Sequence, residues 1–459
     1  MLKELMGPDI EESIRRKDFT GLKEGISDWE DAEIADLLLS LPEDDRPILF
    51  RLLPRDSAAD VFARMPLEDQ LNLLDGLTAG KTRALLEELA PDDRTELFEE
   101  LPAAVTQQLL NLLPPEELKI ARQLLGYPED SVGRMMTPEY VAVQPEWRVR
   151  EALVHIRKTG QDAETVNVIY VVDNNGKLID DLRLRQLIFA DPEERIEEII
   201  DGHFIALSAY EDQETAALQI QKYDRIALPV TDSKGVLLGI VTVDDMLDVI
   251  QEEVTEDIQK MGAVEAIDEP YLQTGFWQMV RKRALWLSIL LLGESLTASA
   301  MGYFEYEIER AVVLALFIPL IISSGGNSGS QAASLIIRAM ALAEVRLRDW
   351  WRVMIREMAS GVALGVILGA IAFLRILLWP NHEMLYGEHF FLIGMTVALS
   401  LIGVVMLGTL SGSMLPFLMR RLGFDPAVSS APFVATLVDV TGLVIYFTIA
   451  YILLRGVLL

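Results

Sequence analysis

Between residues 41 and 113 an apolar position recurs every twelve residues. Leu41, Leu53, Met65, Leu77, Leu89, Leu101 and Leu113 fall in register, and Pro42, Pro54, Pro66, Pro102 and Pro114 follow five of them. Proline suits a helix start, where its missing N–H would go unbonded, and acidic residues suit the positive end of the helix dipole. Acidic residues follow in the first turns: Glu43, Asp44 and Asp45, then Glu68 and Asp69, then Asp92 and Asp93. The pattern predicts short helices stacked as a small superhelix over residues 1–130, each repeat touching only its neighbours. The period changes after residue 136. VNVIYVVDNNGKLIDDLRLRQLI (from Val166) aligns with RIALPVTDSKGVLLGIVTVDDML (from Arg225), Gly176 falling on Gly235. Each copy predicts an apolar strand, a turn bounded by Asp and Gly, a second strand and a helix.

A third pattern follows the basic cluster Arg281–Lys282–Arg283. Apolar runs long enough for a bilayer of about 30 Å recur five times, over roughly 283–303, 311–337, 354–378, 390–418 and 428–455. Lys and Arg in excess mark the cytoplasmic side. They lie before the first span, between the second and third (Arg346, Arg348, Arg352) and between the fourth and fifth (Arg420, Arg421), whereas the loops YFEYEIE (from Tyr303) and PNHEMLYGEHF carry carboxylates and no Lys or Arg. The amino end is therefore expected in the cytoplasm and the carboxyl end outside, in the plasma (inner) membrane. The first residues lack the apolar core of a secretory signal.

Charge changes the picture further. Of 40 Lys+Arg and 70 Asp+Glu, only 13 and 11 lie from Trp277 onward, so the net charge of −30 belongs to the first half. Such a surface repels nucleic acid and anionic headgroups and gathers cations. With no cysteine, thiolate metal sites and disulfides are excluded.

Polar residues inside spans are expensive and usually functional. In the last span Asp439 stands near mid-membrane beside Thr436, Thr441 and Gly442. It is either neutralised by a proton or an Arg partner or an ion-pathway carboxylate, and the second reading is preferred. In the second span, Pro319 precedes a run of small and polar residues that includes Asn327 and Gln331. Close helix packing through small residues and a helix loosened beside a pore, with Asn327 facing water or hydrated ion, are both compatible with it. Glu294 in the first span receives no firm role beyond a wet vestibule. Mg²⁺ dehydrates reluctantly and is held by few carboxylates while it keeps several waters. One Asp per chain suits it if two chains meet about a two-fold axis and place two Asp439 carboxylates across a shared pore.

The segment after the second copy crowds Asp245, Asp248, Glu252, Glu253, Glu256 and Asp257 about one helix. Like charges three and four residues apart repel by a few tenths of a kcal/mol per pair. A solvated face tolerates this; a divalent cation between two such surfaces would remove it.

The ALPVTD…GVLLGIVTVDDM stretch resembles a tandem pair of CBS modules. That likeness implies adenine-nucleotide binding through an Asp at the start of the closing helix. The second copy has Asp244–Asp245 there and the first has Arg185–Gln186. MMTPEYVAV (from Met135), VTVDDMLDVI, TEDIQKMGAVE, FIPLIISSGGNSGSQAASLIIRAMA and ATLVDVTGLVIYF are together similar to the MgtE family of magnesium channels, over nearly the whole chain. The expected fold class is multidomain: an all-α superhelical domain (1–130), two α/β CBS modules (131–198 and 199–248), an acidic connecting helix (249–276) and a transmembrane domain of five helices (277–459).

The resemblance implies a homodimer whose pore is lined by the second and fifth spans, with Asp439 at the ion-binding position and Asn327, Pro319 and Thr436 along the path. It also implies that Mg²⁺ bound between the amino-terminal domain, the CBS pair and the connecting helix holds the pore shut. Asp245, Asp248, Glu253, Glu256 and Asp257 are then gating ligands, with Asp92 or Asp93 contributing. When Mg²⁺ falls, the facing carboxylates repel and the gate opens, which requires the closed state to bind the ions more tightly.

Other classes fit less well. A proton- or sodium-coupled divalent cation carrier would make Asp439 titrate. A CBS-regulated chloride channel sits badly with an acidic outer face and a mid-membrane Asp, and a non-conducting sensor is the remaining option. No nucleophile, base and orienter cluster supports an enzyme.

Overall fold

The computed structural model describes residue 10 and residues 12–267, 271–272, 274–380 and 386–458. The chain forms two compact units, Met1–Ile250 and Gln251–Leu459.

The first unit opens with short helices, among them Asp31–Ser40, Arg55–Ala63, Leu67–Gly76, Ala79–Glu88, Pro91–Glu99, Ala103–Leu110 and Pro115–Leu124. The twelve-residue period marks their ends. Leu41, Met65, Leu89, Leu101 and Leu113 are buried in one continuous core, with Leu53 and Leu77 packed against it. Pro54, Pro66, Pro102 and Pro114 sit at the cap position with extended ψ, and each next helix starts from them.

Two three-stranded sheets follow. The first orders β1 (Ala142–Val143), β2 (Val168–Val172) and β3 (Leu178–Arg183); the second orders β4 (Leu207–Ser208), β5 (Ala227–Thr231) and β6 (Leu237–Thr242). In each, the first pair is parallel and the second antiparallel, with Tyr170 opposite Asp181 and Pro229 opposite Ile240. The aligned glycines close the two hairpin turns with φ +76° at Gly176 and +80° at Gly235, a region that costs glycine nothing. The turns also join the copies, because Leu178 N–H donates to Gly235 O (2.9 Å) and Leu237 N–H to Gly176 O (3.0 Å). Arg225 Nη1 donates to Asp181 Oδ2 at 2.8 Å, so an ion pair ties the copies at a second point.

The closing helix of the second copy and the acidic segment are one helix, Val243–Met261. The expected connecting helix over 249–276 therefore begins inside the closing helix and stops short. Gly262 ends it, and Ala263 takes a left-handed φ of +57°, the usual way a helix terminates.

The second unit holds five helices long and apolar enough to cross a membrane: Phe276–Tyr303, Val312–Ala341, Leu347–Leu377, Phe390–Leu422 and Ala431–Leu454. They are packed through small residues. A Cβ on Gly412 would lie 2.0 Å from Gly329 O, and one on Gly408 2.3 Å from Gly325 O. Ser328 and Thr409 hydroxyls share a hydrogen bond of 2.8 Å along the same seam. The second of these helices is regular from Ile318 to Ala341, with Pro319 in its first turn. Of the two readings of this run, the helix shows close packing and no loosening, because proline there removes no helical hydrogen bond and the glycines lie against neighbouring helices.

Candidate functional site

The first unit brings acidic side chains together from three places in the chain. Asp92 and Asp93 lie in the first turn of Pro91–Glu99, directly after the proline that starts it. Asp245 lies in the first turn of Val243–Met261, where Thr242 Oγ1 donates to its Oδ2 at 2.7 Å. Glu164 stands on the loop before β2, which is pinned by its own N–H to Glu139 O at 2.9 Å.

Their mutual field is visible in their acidities. Burial first and Asp245 second push Asp92 well above the carboxylate range. The same two causes raise Asp93 to about 6, with Arg64 opposing. Burial, then Asp244 and Asp248, raise Asp245 to about 6 against the Thr242 hydrogen bond. Burial, Asp245 and Asp244 raise Glu164 to about 7. Among the described residues no Lys or Arg forms an ion pair with Asp92, Asp93 or Asp245, although other carboxylates nearby are paired, as Asp69 is by Arg46 and Glu117 by Arg94. A cluster that resists ionisation and lacks a counter-ion is a place that favours a cation. Its donors are all oxygens, which suits a hard ion. No three Asp, Glu or His side chains among the described residues converge closely enough to hold a metal ion together.

Further along the same helix Asp248 is exposed, while Glu253, Glu256 and Asp257 are half-buried. Burial, then Asp425, raises Asp257 to about 6. Lys260 Nζ lies 2.6 Å from both Glu256 Oε1 and Asp425 Oδ2. Burial alone would lower its pKa, and the hydrogen bonds to Asp425 and Glu256 reverse that and raise it.

In the membrane unit, Asp439 is half-buried on Ala431–Leu454. Its side chain comes near that of Glu294 on the first long helix. The helices approach closely there, because a Cβ on Gly293 would lie 2.6 Å from Thr436 Cγ2. Thr436 turns its hydroxyl back to Pro432 O at 3.0 Å. Asn327 is exposed and within 3.5 Å of Ser323 Oγ, and Pro319 is exposed at the start of the same helix. The neighbouring glycines are covered: Gly325 by Val404 and Val438, Gly329 by Val434. The helix thus packs one face inward and leaves Asn327 on the other.

Comparison with known proteins decides the family. A model described as a divalent cation transporter matches residues 318–449, one for the MgtE intracellular N domain matches 29–130, and CBS-domain models match 132–193 and 181–252. The magnesium transporter MgtE of Thermus thermophilus is 39% identical over 473 residues, covering 99% of this chain and 100% of its own. That of Bacillus subtilis is 33% identical over 427 residues, covering 93% and 92%. The chain belongs to the MgtE family of magnesium transporters. Its cytosolic part is also similar to the solved cytosolic domain of the Mg²⁺ channel MgtE in complex with ATP: 38% identity, TM-score 0.51, 53% of this chain and 99% of that one. A second structure, the soluble part of a magnesium transporter, is 30% identical at a TM-score of 0.52, covering 55% and 99%.

Within this MgtE chain, sequence reasoning missed Glu164, Asp425, Lys260 and the contact of Glu294. Lys260 was legible as the lone cation on an acidic helix face. Glu164 and Asp425 sit on loops with no periodicity to mark them.

Proposed function

We propose that this MgtE member is a Mg²⁺ channel that works as a homodimer in the plasma membrane and is closed by cytoplasmic Mg²⁺. The observation that carries this reading is the Asp92–Asp93–Asp245 cluster, no member of which forms an ion pair among the described residues, and in which a turn of the superhelix faces the first turn of Val243–Met261. Asp92, Asp93 and Asp245 hold the regulatory ion, with Glu164 at the edge. Asp248, Glu253, Glu256 and Asp257 form further weak sites along the same helix. The bound ion supplies the positive charge the cluster lacks. Without it the carboxylates repel, the two surfaces separate, and the helix loses its fixed position. Several weak sites in concert make the response steep.

In the membrane, Asp439 takes the passing ion, Asn327 and Pro319 line its path on the face left uncovered by packing, and Thr436 contributes from the last span. Two chains about a two-fold axis place two Asp439 carboxylates in one pore. The amino end lies in the cytoplasm and the carboxyl end outside. Adenine nucleotide, carried by the similar solved cytosolic domain, is assigned to the second CBS copy, where Asp244 is exposed at the start of the helix. In the first copy Gln186 is engaged as a helix cap, accepting from Arg183 N–H at 2.8 Å.

A coupled carrier is the second reading, and the Glu294–Asp439 contact favours it, since two carboxyl groups in reach of each other can relay a proton. Limited proteolysis of the full chain during a Mg²⁺ titration tests the regulatory site. Millimolar Mg²⁺ is expected to slow cleavage in the wild type and not in Asp92→Asn/Asp93→Asn/Asp245→Asn. Equal protection of both would remove the cluster from the mechanism.

A further inference from the structure

Two segments of the membrane unit carry the same five-residue spacing. In YEIER (Tyr306 to Arg310) and YILLR (Tyr451 to Arg455) a tyrosine precedes an arginine by four residues, which sets both side chains on one face of a helix. Arg310 Cζ stands 4.6 Å from the centre of the Tyr306 ring, and Arg455 Cζ 5.2 Å from that of Tyr451. The fold turns these pairs toward each other: Tyr306, Glu307, Arg310, Tyr451 and Arg455 line one cavity of about 210 Å³.

Its base is rigid. Phe304 stacks on Phe447 with ring centres 4.9 Å apart, Ile308 packs into the membrane core, and Tyr446 Oη donates to Leu314 O at 2.8 Å. Its depth is fixed by the spans. Arg455 follows Leu454, the last residue of one span, and Arg310 precedes Val312, the first of another. Both guanidiniums are exposed and stand where headgroups begin, at the end opposite the Lys260–Asp425 contact. Among the described residues neither forms an ion pair with a carboxylate. Glu307 is the cavity's one acidic group, so its charge is net positive in a chain that is otherwise strongly acidic. Basic residues are drawn to the other side of the bilayer, where Arg346, Arg348, Arg420 and Arg421 lie, so these two need a different explanation. Arg375 over Trp379 (5.2 Å) repeats the pairing at the end of the third span but lies outside this cavity.

We propose that the cavity binds the phosphate of an anionic phospholipid headgroup from the leaflet at this end of the bundle. A guanidinium stacked on an aromatic ring keeps its N–H edge free for phosphate oxygens. The two tyrosines supply the amphipathic wall that interfacial aromatics give to glycerol and upper acyl chain. The proposal stands apart from the gating reading and survives or fails without it.

The test is native mass spectrometry of the full-length protein released from bilayers of equal phosphatidylglycerol and phosphatidylcholine. The wild type should retain phosphatidylglycerol in preference. Arg310→Gln/Arg455→Gln should lose about tenfold of it, as removal of charge-assisted contacts implies, while Arg375→Gln keeps it. Glu307→Gln removes the cavity's only negative charge and should raise retention about twofold or more, a gain that a misfolded variant cannot produce. Inorganic phosphate should not displace the lipid. Equal retention of both lipids, no change in the double variant and in Glu307→Gln, or displacement of the lipid by millimolar inorganic phosphate would each overturn the proposal.

Discussion

Lys260 and Asp425 are 165 residues apart in sequence, and their charged groups meet at 2.6 Å. Lys260 lies on the last turn of Val243–Met261. Asp425 caps the short turn Pro426–Val428 that leads into the last span, accepting from Ala427 N–H at 2.8 Å. One ammonium thus holds Asp425 and Glu256 together beside Asp257, whose acidity Asp425 already weakens.

Lys260→Met therefore leaves three carboxylates facing one another. In EDTA the variant should unfold about 2–4 °C below the wild type, the effect of about 1 kcal/mol for a partly exposed pair. Mg²⁺ should then stabilise it more than it does the wild type, because the ion replaces the lost charge. Thermal unfolding with and without Mg²⁺ checks both. An unchanged midpoint in EDTA would show that the contact carries no energy.

The acidic cluster gives a pH prediction with a definite sign. Asp93 and Asp245 titrate near 6 in the folded chain and near about 3.9 when unfolded. A group whose folded pKa is raised contributes stability below the unfolded value, and this is lost as pH rises through the folded value. Without divalent ions the full chain should therefore gain stability as pH falls from about 7 toward about 4 in proportion to these groups, and Asp93→Asn/Asp245→Asn should flatten the slope. Differential scanning measurements over that range in EDTA decide it. A wild-type slope equal to that of the variant would contradict the assigned environment.

The glycine seam predicts a sharp contrast. Gly412→Ala puts a methyl 2.0 Å from Gly329 O, a backbone atom that cannot move alone, whereas Gly302 has nothing within 4 Å of an added Cβ. Gly412→Ala should cost about 2 kcal/mol or more through overpacking. Gly302→Ala should be neutral or mildly stabilising, since alanine is the better helix former. Thermal stability in detergent separates them.

Much of this was legible in the chain. The spans announce themselves because the bilayer demands length and apolarity together, and the five helices begin and end within a few residues of the hydropathy boundaries apart from the earlier starts of the first and third. The superhelix was readable because proline and leucine mark helix ends with a fixed period. What failed has a common cause. Pro319 and its small neighbours left a weakened helix and close packing both open, and the position of a proline within its helix, not its presence, decides between them. The acidic helix was drawn too long because like charges continue past the point where Gly262 and Ala263 turn the backbone. Glu164, Asp425 and the Glu294–Asp439 contact depend on chain segments that only the fold brings together. The paired Tyr–Arg spacings were present in the sequence, yet nothing there says that they face each other.

Patch recording from bilayers containing the full-length protein tests the central claim most directly. Mg²⁺ as the only permeant cation should carry current that reverses near its own equilibrium potential. Millimolar Mg²⁺ on the cytoplasmic face should suppress that current, and Asp439→Ala should abolish it. Absence of current, with Mg²⁺ uptake into vesicles that stops when a proton or sodium gradient is collapsed, would contradict the channel and establish the coupled carrier.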